Sequence, residues 1–159
     1  MFKNEKSFSA SEIMVKRLFT LDAEMDVFKA IELLSRNKIS GAPVIDSNSR
    51  LLGMFTEKSC LEVMVDAAYE GLPANDVGAF MSEPADTIKE ETDFLSMAQI
   101  FLNKRTRRLP VLRNGVLVGQ VSRRDLINAT LKIIRRSPDR QRTLLYLSAL
   151  CEMHDSPLP

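Results

Sequence analysis

The chain repeats itself, and a repeat limits the folds open to it more than any single motif does. Sliding the sequence by 67 residues sets Pro43 on Pro110, Met14 on Met81, Thr20 on Thr87 and Asp26 on Asp93. The apolar positions keep the same shift: Val27 on Phe94, Phe28 on Leu95, Leu33 on Ile100, Leu34 on Phe101 and Val44 on Val111. After one deleted residue the shift becomes 66, and Gly53 meets Gly119, Phe55 meets Val121 and Thr56 meets Ser122. Few residues are identical, but residue class agrees throughout. The first unit covers residues 9–70 and the second residues 75–135.

Each unit reads as strand, helix, strand, strand, helix. In the first, Leu18 to Leu21 is a short extended piece. Asp26 to Asn37 follows, with Val27, Ala30, Ile31 and Leu34 at helical spacing. Ala42 to Ile45 is a short buried strand, Asp46 to Ser49 a turn cluster, and Leu51 to Phe55 the returning strand. Thr56 caps a second helix carrying Leu61, Val63, Met64 and Val65. The second unit gives the same order, and its Asn114-Gly115 suits a two-residue hairpin turn. Gly71-Leu72-Pro73 marks the boundary. A unit of roughly 60 residues has a marginal core alone. The expectation is therefore an α+β module of two units sharing a sheet-to-sheet face, with pseudo-twofold symmetry. A further helix follows over residues 137–153.

Composition closes off several function classes. With 45% hydrophobic and 27% charged residues, the chain is ordinary globular material. No apolar run approaches the roughly 18 residues of a membrane helix, and Met1 to Ser7 is polar, unlike a signal peptide. Cys60 and Cys151 make neither a disulfide framework nor a metal knuckle, so a reducing cytoplasm is the expected compartment. The one histidine, His154, and the lack of P-loop, GxGxxG, HExxH and GxSxG motifs leave little for catalysis. No enzyme and no metal site are expected. Net charge is +1, but residues 1–79 carry 9 basic and 12 acidic side chains and residues 80–159 carry 13 and 9. The basic half is where an anion would dock.

Ile39-Ser40-Gly41-Ala42-Pro43-Val44-Ile45-Asp46, followed by Leu51-Leu52-Gly53-Met54-Phe55-Thr56, resembles the core of a cystathionine β-synthase (CBS) domain. The second unit resembles it too, in Arg108 to Leu112 and then Val118 to Leu126, and Glu12-Ile13-Met14 is similar to the family's short leading segment. The resemblance spans residues 9–135. It implies a tandem pair (a Bateman module) that binds an adenine nucleotide between its motifs and regulates a partner.

Ser122-Arg123-Arg124-Asp125 stands where a strand ends and a helix begins, a place that favours phosphate. On the residues alone, Ser122 and Asp125 also make a capping box, and the two roles can coexist. The resemblance makes Asp125 the anchor for ribose hydroxyls and sets Ser122 beside the phosphate, with Arg124 between them. It places Ser9, Met14, Ile39, Ser40 and Gly41 on the opposite, mostly uncharged wall, Gly41 letting ligand approach the backbone. The other cleft departs from the family pattern, because Ser59 stands where the ribose aspartate belongs. It keeps Thr56, with Thr106, Arg107 and Arg108 as phosphate contacts next to Lys104 and Arg105. A solvated helix end accounts for those cations equally well.

AMP, ADP and ATP are the expected ligands, with no required cofactor. A homodimer is expected from Leu61, Met64, Val65, Leu126, Ile127 and Leu131, with Leu144, Leu145, Leu147 and Leu150 of the last helix as a cap or clasp. Two other readings stand beside the sensor. One is an interaction module with empty clefts, which Ser59 favours. The other is RNA or DNA binding through Lys132, Arg135, Arg136, Arg140 and Arg142, which no aromatic interleaving supports.

Overall fold

A β-hairpin is the centre of each repeat. In the first, β2 (Gly41–Ile45) and β3 (Leu51–Thr56) pair antiparallel, and the two-residue β1 (Leu21–Asp22) joins β2 in parallel. In the second, β5 (Arg108–Arg113) and β6 (Val116–Ser122) form the hairpin and β4 (Ile88–Lys89) takes the parallel edge. Helices α2 (Val27–Asn37) and α3 (Glu57–Glu70) belong to the first repeat, α5 (Phe94–Asn103) and α6 (Arg123–Arg136) to the second. A single turn of helix leads each repeat: α1 (Ala10–Ile13) and α4 (Val77–Phe80). The structure is a computed structural model that describes residues 8–71, 75–83, 86–136, 141 and 145.

The local signals act as the chemistry requires. Asp26 accepts from the Lys29 amide and Asp93 from the Ser96 amide, both at 3.0 Å, so each first helix starts on a carboxylate cap. Asn114 and Gly115 have φ of 52° and 80°, the positive values that a tight hairpin turn needs. Helix α3 stops at Gly71, whose φ is 87°. The extended stretch expected at Leu18–Leu21 is shorter and later than its sequence suggests. Only Leu21 and Asp22 find β2 partners, Val44 and Ile45, while Leu18 and Phe19 turn towards the space between the repeats. Of the C-terminal helix expected at 137–153, only Gln141 and Leu145 are described, and both are helical.

Sequence repeat and packing unit do not coincide. Helix α1 precedes the first repeat, yet its amides at Ala10 and Ser11 donate to the carbonyls of Thr92 and Glu90 in the second, at 2.8 and 2.9 Å. Val15 then pairs with Gln120 through two backbone hydrogen bonds of 2.9 and 3.0 Å. The mirror event occurs in α4: the amides of Val77 and Gly78 donate to Met25 and Ala23, and Ser82 pairs with Met54. The two cores follow this exchange. Val77 is buried with Leu21, Val27, Val44, Phe55 and Val63, and Ala10 with Ile88, Met97, Leu109, Val111 and Val121. Each core is completed by a residue that the sequence assigns to the other repeat.

Gly53 and Gly119 let the exchanged segments lie flat on the hairpins. A Cβ on Gly119 would sit 2.5 Å from the Met14 sulfur, and one on Gly53 would sit 2.7 Å from the Ser82 carbonyl oxygen. The second obstacle is backbone and has no rotamer by which to give way.

Glu90, at the turn that receives α1, also accepts two hydrogen bonds from Arg113, at 2.6 and 2.7 Å. The guanidinium holds this carboxyl below its ordinary range. Cys60 packs in the first core, where burial pushes its thiol up and leaves it inert.

The exchange makes the repeats one cooperative unit. Urea unfolding followed by circular dichroism is expected to show a single transition. Val77→Ala should lower its stability by about 2 kcal/mol, although Val77 lies outside the repeat whose core it fills. Two separate transitions, with Val77→Ala moving only one, would contradict it.

Candidate functional site

The strand period of two decides which residues meet between the repeats. In β6, Val121 faces its own core, so Gln120 and Ser122 face away from it. In β2, Ala42 and Val44 face the first core, leaving Gly41 and Pro43 on the other side. These four residues line one cavity of about 260 Å³, together with Val15, Arg17, Leu18, Phe19, Ile39, Arg108 and Asp125. The wall is thus built from one hairpin of each repeat, the linker behind α1 and the first turn of α6.

Asp125 holds the geometry that both of its readings require. Its Oδ2 accepts from the Ser122 amide at 2.8 Å and from the Ser122 hydroxyl at 2.6 Å. The Ser122 Oγ in turn accepts from the Asp125 amide at 3.2 Å. This is a capping box, and it fixes the carboxylate at the cavity wall. Oδ1 takes no part in the described hydrogen bonds and is the oxygen available to a diol. The equivalent place in the first repeat is filled differently. Ser59, 3% exposed, donates nothing outward: its hydroxyl accepts from the Thr56 amide at 3.2 Å, closing a box on itself.

Arg108 reaches across the pseudo-twofold axis to the Gly41 carbonyl at 3.3 Å and the Ser40 hydroxyl at 3.2 Å. Sequence spacing groups it with Thr56. The structure makes it part of the Asp125 cavity, because Arg108 and Gly41 are repeat equivalents and therefore meet at the axis. Arg17 lines the same cavity. The opposite wall is accordingly not the mostly uncharged one expected: Arg17 and Arg108 line the same cavity as Asp125.

The remaining residues are distributed as follows. Ile39 and Gly41 line the cavity and Ser40 stands beside it as the partner of Arg108. A Cβ on Gly41 would meet Phe55 and Thr56 at 3.1 Å, so its bareness serves the packing of its own sheet. Ser9 caps α1, its amide held by Glu12, and Met14 packs under Gly119 in the second core. Neither lines the cavity; Val15, Arg17, Leu18 and Phe19 take that wall instead. Arg124 and Arg107 are exposed with no described partner. Thr106 donates to the Arg108 carbonyl at 2.7 Å. Arg123, beside Arg124, bonds the carbonyls of Phe101 and Thr106. Of the basic cluster, Lys132 lines a separate cavity between α1 and α6, and Arg140 and Arg142 lie outside the described residues. No group of metal-ligating side chains occurs among the described residues.

Val15, Arg17, Phe19 and Gln120 line the cavity with no site role in the sequence reading. Gln120 is 8% exposed, and its Oε1 is buried without a hydrogen-bond partner. An unmet buried acceptor costs about 1–3 kcal/mol. The repeat alignment holds the only signal for it: the equivalent residue in the first repeat is Met54.

A family model for the CBS domain matches residues 10–66 and again residues 76–132. The chain belongs to the CBS domain family. As a CBS pair it superposes on the crystal structure of CBSX2 in complex with AMP, with a TM-score of 0.71 and 27% identity, over 79% of this chain and 98% of that one. It is 29% identical over 161 residues to the chloroplastic CBS domain-containing protein CBSX1 of Arabidopsis thaliana, covering 84% of this chain and 68% of that protein. It is 27% identical over 134 residues to the uncharacterized protein MJ1225 of Methanocaldococcus jannaschii, covering 79% of this chain. That match spans 46% of MJ1225, so this CBS pair is shorter than that relative. No helix among its described residues is long and apolar enough to cross a membrane.

Since the Asp125 carboxylate caps α6, Asp125→Ala should lower the stability of the unliganded protein by about 1 kcal/mol. Denaturant titration checks this. A variant as stable as the parent would show that the carboxylate contributes no cap.

Proposed function

We propose that this chain is a non-catalytic regulatory module that binds one adenine nucleotide, AMP, ADP or ATP, in the Asp125 cleft and passes its occupancy to a partner protein. The observation that carries the reading is the cavity itself. Its lining brings together a carboxylate with one oxygen outside the described hydrogen bonds, the two arginines Arg17 and Arg108, and apolar Val15, Leu18 and Phe19 as a surface for a flat base. Ribose hydroxyls suit the first, phosphate the second and adenine the third. The AMP complex of CBSX2 supports the same ligand class. Because the wall is drawn from both repeats, a bound ligand stabilises one inter-repeat arrangement over others, which is what a regulatory module needs. In the Thr56 cleft Ser59 offers no carboxylate, so one nucleotide per chain is the expected stoichiometry. A pair with empty clefts is the second reading, favoured by that same Ser59. The cytoplasm remains the proposed compartment, and nucleic acid is not part of the proposal.

The module is also proposed to act as a homodimer. Leu61 is 62% exposed and lies with Met64, Val65 and Tyr69 on the outer face of α3; Ile127, 60% exposed, lies with Leu131 and Ile134 on α6. Soluble monomers rarely leave such faces bare. Leu126, expected among them, is instead buried in the second core.

Isothermal titration calorimetry with AMP and ATP tests the first proposal. Asp125→Ala should weaken binding about tenfold to a hundredfold, with one site per chain in the parent. Unchanged affinity would remove Asp125 from the site, and no heat with any adenine nucleotide would favour the empty pair. Light scattering tests the second: the expected mass is twice that of the 17.9 kDa chain, and a monomer mass would end the dimer claim.

A further inference from the structure

Gln120 is a polar side chain in a place where the fold asks for none. Its backbone is fully engaged, exchanging two hydrogen bonds with Val15 while its β5 neighbour is Pro110. Its side chain lines the Asp125 cavity with the Oε1 buried and unpartnered. The first repeat supplies an internal control. Met54 occupies the same position, makes the same pair of backbone hydrogen bonds to Ser82, and has no polar side-chain atom. The sheet and the exchange therefore form as well with an apolar residue. What distinguishes the second repeat is the cavity that carries Asp125.

We infer that Gln120 is the base-selecting residue of this cleft, its carboxamide pairing with the amino edge of adenine. The inference rests on the nucleotide reading above. A primary amide offers one acceptor and one donor side by side, and adenine presents the complement, an amino donor at N6 next to an acceptor at N7. Guanine and hypoxanthine present two acceptors on that edge, O6 and N7, so either orientation of the amide leaves acceptor facing acceptor. Turned about its last torsion, the amide presents Oε1, unpartnered where it stands, to the cleft, where it meets a donor on adenine and an acceptor on a 6-oxopurine. Val15 and Phe19, apolar and lining the same cavity, offer the mismatched edge no compensating hydrogen bond from their side chains.

The test compares AMP with IMP, which differ in the N6 amino group against O6 and the N1 proton that accompanies it. Calorimetry on the full chain should give AMP binding about tenfold to a hundredfold tighter than IMP. Gln120→Met, which copies Met54 of the first repeat, should bring the two affinities within about threefold, by weakening AMP. Without nucleotide, Gln120→Met should melt no lower than the parent, since it removes an unmet acceptor. Equal affinities for AMP and IMP in the parent overturn the assignment of Gln120 while leaving the nucleotide reading intact. So does discrimination that survives in Gln120→Met, or a variant that melts clearly lower, which would make Gln120 a structural residue. Failure of the parent to bind any adenine nucleotide overturns both readings together.

Discussion

Two backbone hydrogen bonds between Val15 and Gln120, and two between Ser82 and Met54, tie each repeat to the segment that leads the other. The geometry of the rest follows from these bonds. They extend each hairpin by one bridging residue and bring Ala10 and Val77 into cores that lack them. They also require Gly119 and Gly53, because a side chain at either position would occupy the space of Met14 or Ser82. Halves of roughly 60 residues have only marginal cores when they stand alone. Exchange answers that problem, since residues that join the halves also complete their cores.

The cleft is a by-product of the same arrangement. Once Val15 is fixed on β6, the chain from Arg17 to Phe19 must cross the gap between the two hairpins before β1 begins at Leu21. It brings a guanidinium and two apolar side chains to the wall that Ser122 and Asp125 already occupy. Arg108 arrives by symmetry, as the counterpart of Gly41, and its hydrogen bond to the Gly41 carbonyl clasps the repeats at the axis. The asymmetry of the sequence then acts on a symmetric frame. Asp125 against Ser59 and Gln120 against Met54 place the polar groups in one half.

Much of the fold could be read from residues. Asp26 and Asp93 at helix starts, Asn114-Gly115 at the hairpin and the shared prolines are local signals with local causes. The Ser122–Asp125 box was legible for the same reason. What the sequence could not show depends on long-range placement. Ser9 and Met14 align with the leading segment of a repeat, but the exchange carries that segment past its own hairpin. Met14 ends under Gly119, and the wall passes to Val15, Arg17, Leu18 and Phe19. Arg108 belongs by register to the hairpin opposite Gly41, and only the meeting of equivalents at the axis assigns it to one cleft. Gln120 looked like an ordinary strand residue because its burial comes from the neighbouring repeat.

The exchange also orders events during synthesis. Ala10 donates to Thr92 and Val15 pairs with Gln120, so the first described elements wait for partners 82 and 105 residues downstream. The hairpin β2–β3 can close as soon as it leaves the ribosome, since its contacts are local. Its core stays open until Val77 follows, and α1 has no docking surface until β6 has emerged. A nascent chain stopped before Ser82 carries an undocked leading segment and an unpaired β3 edge at once. The native partners of both, β6 and Ser82, lie downstream of such a stop, so only further synthesis covers them.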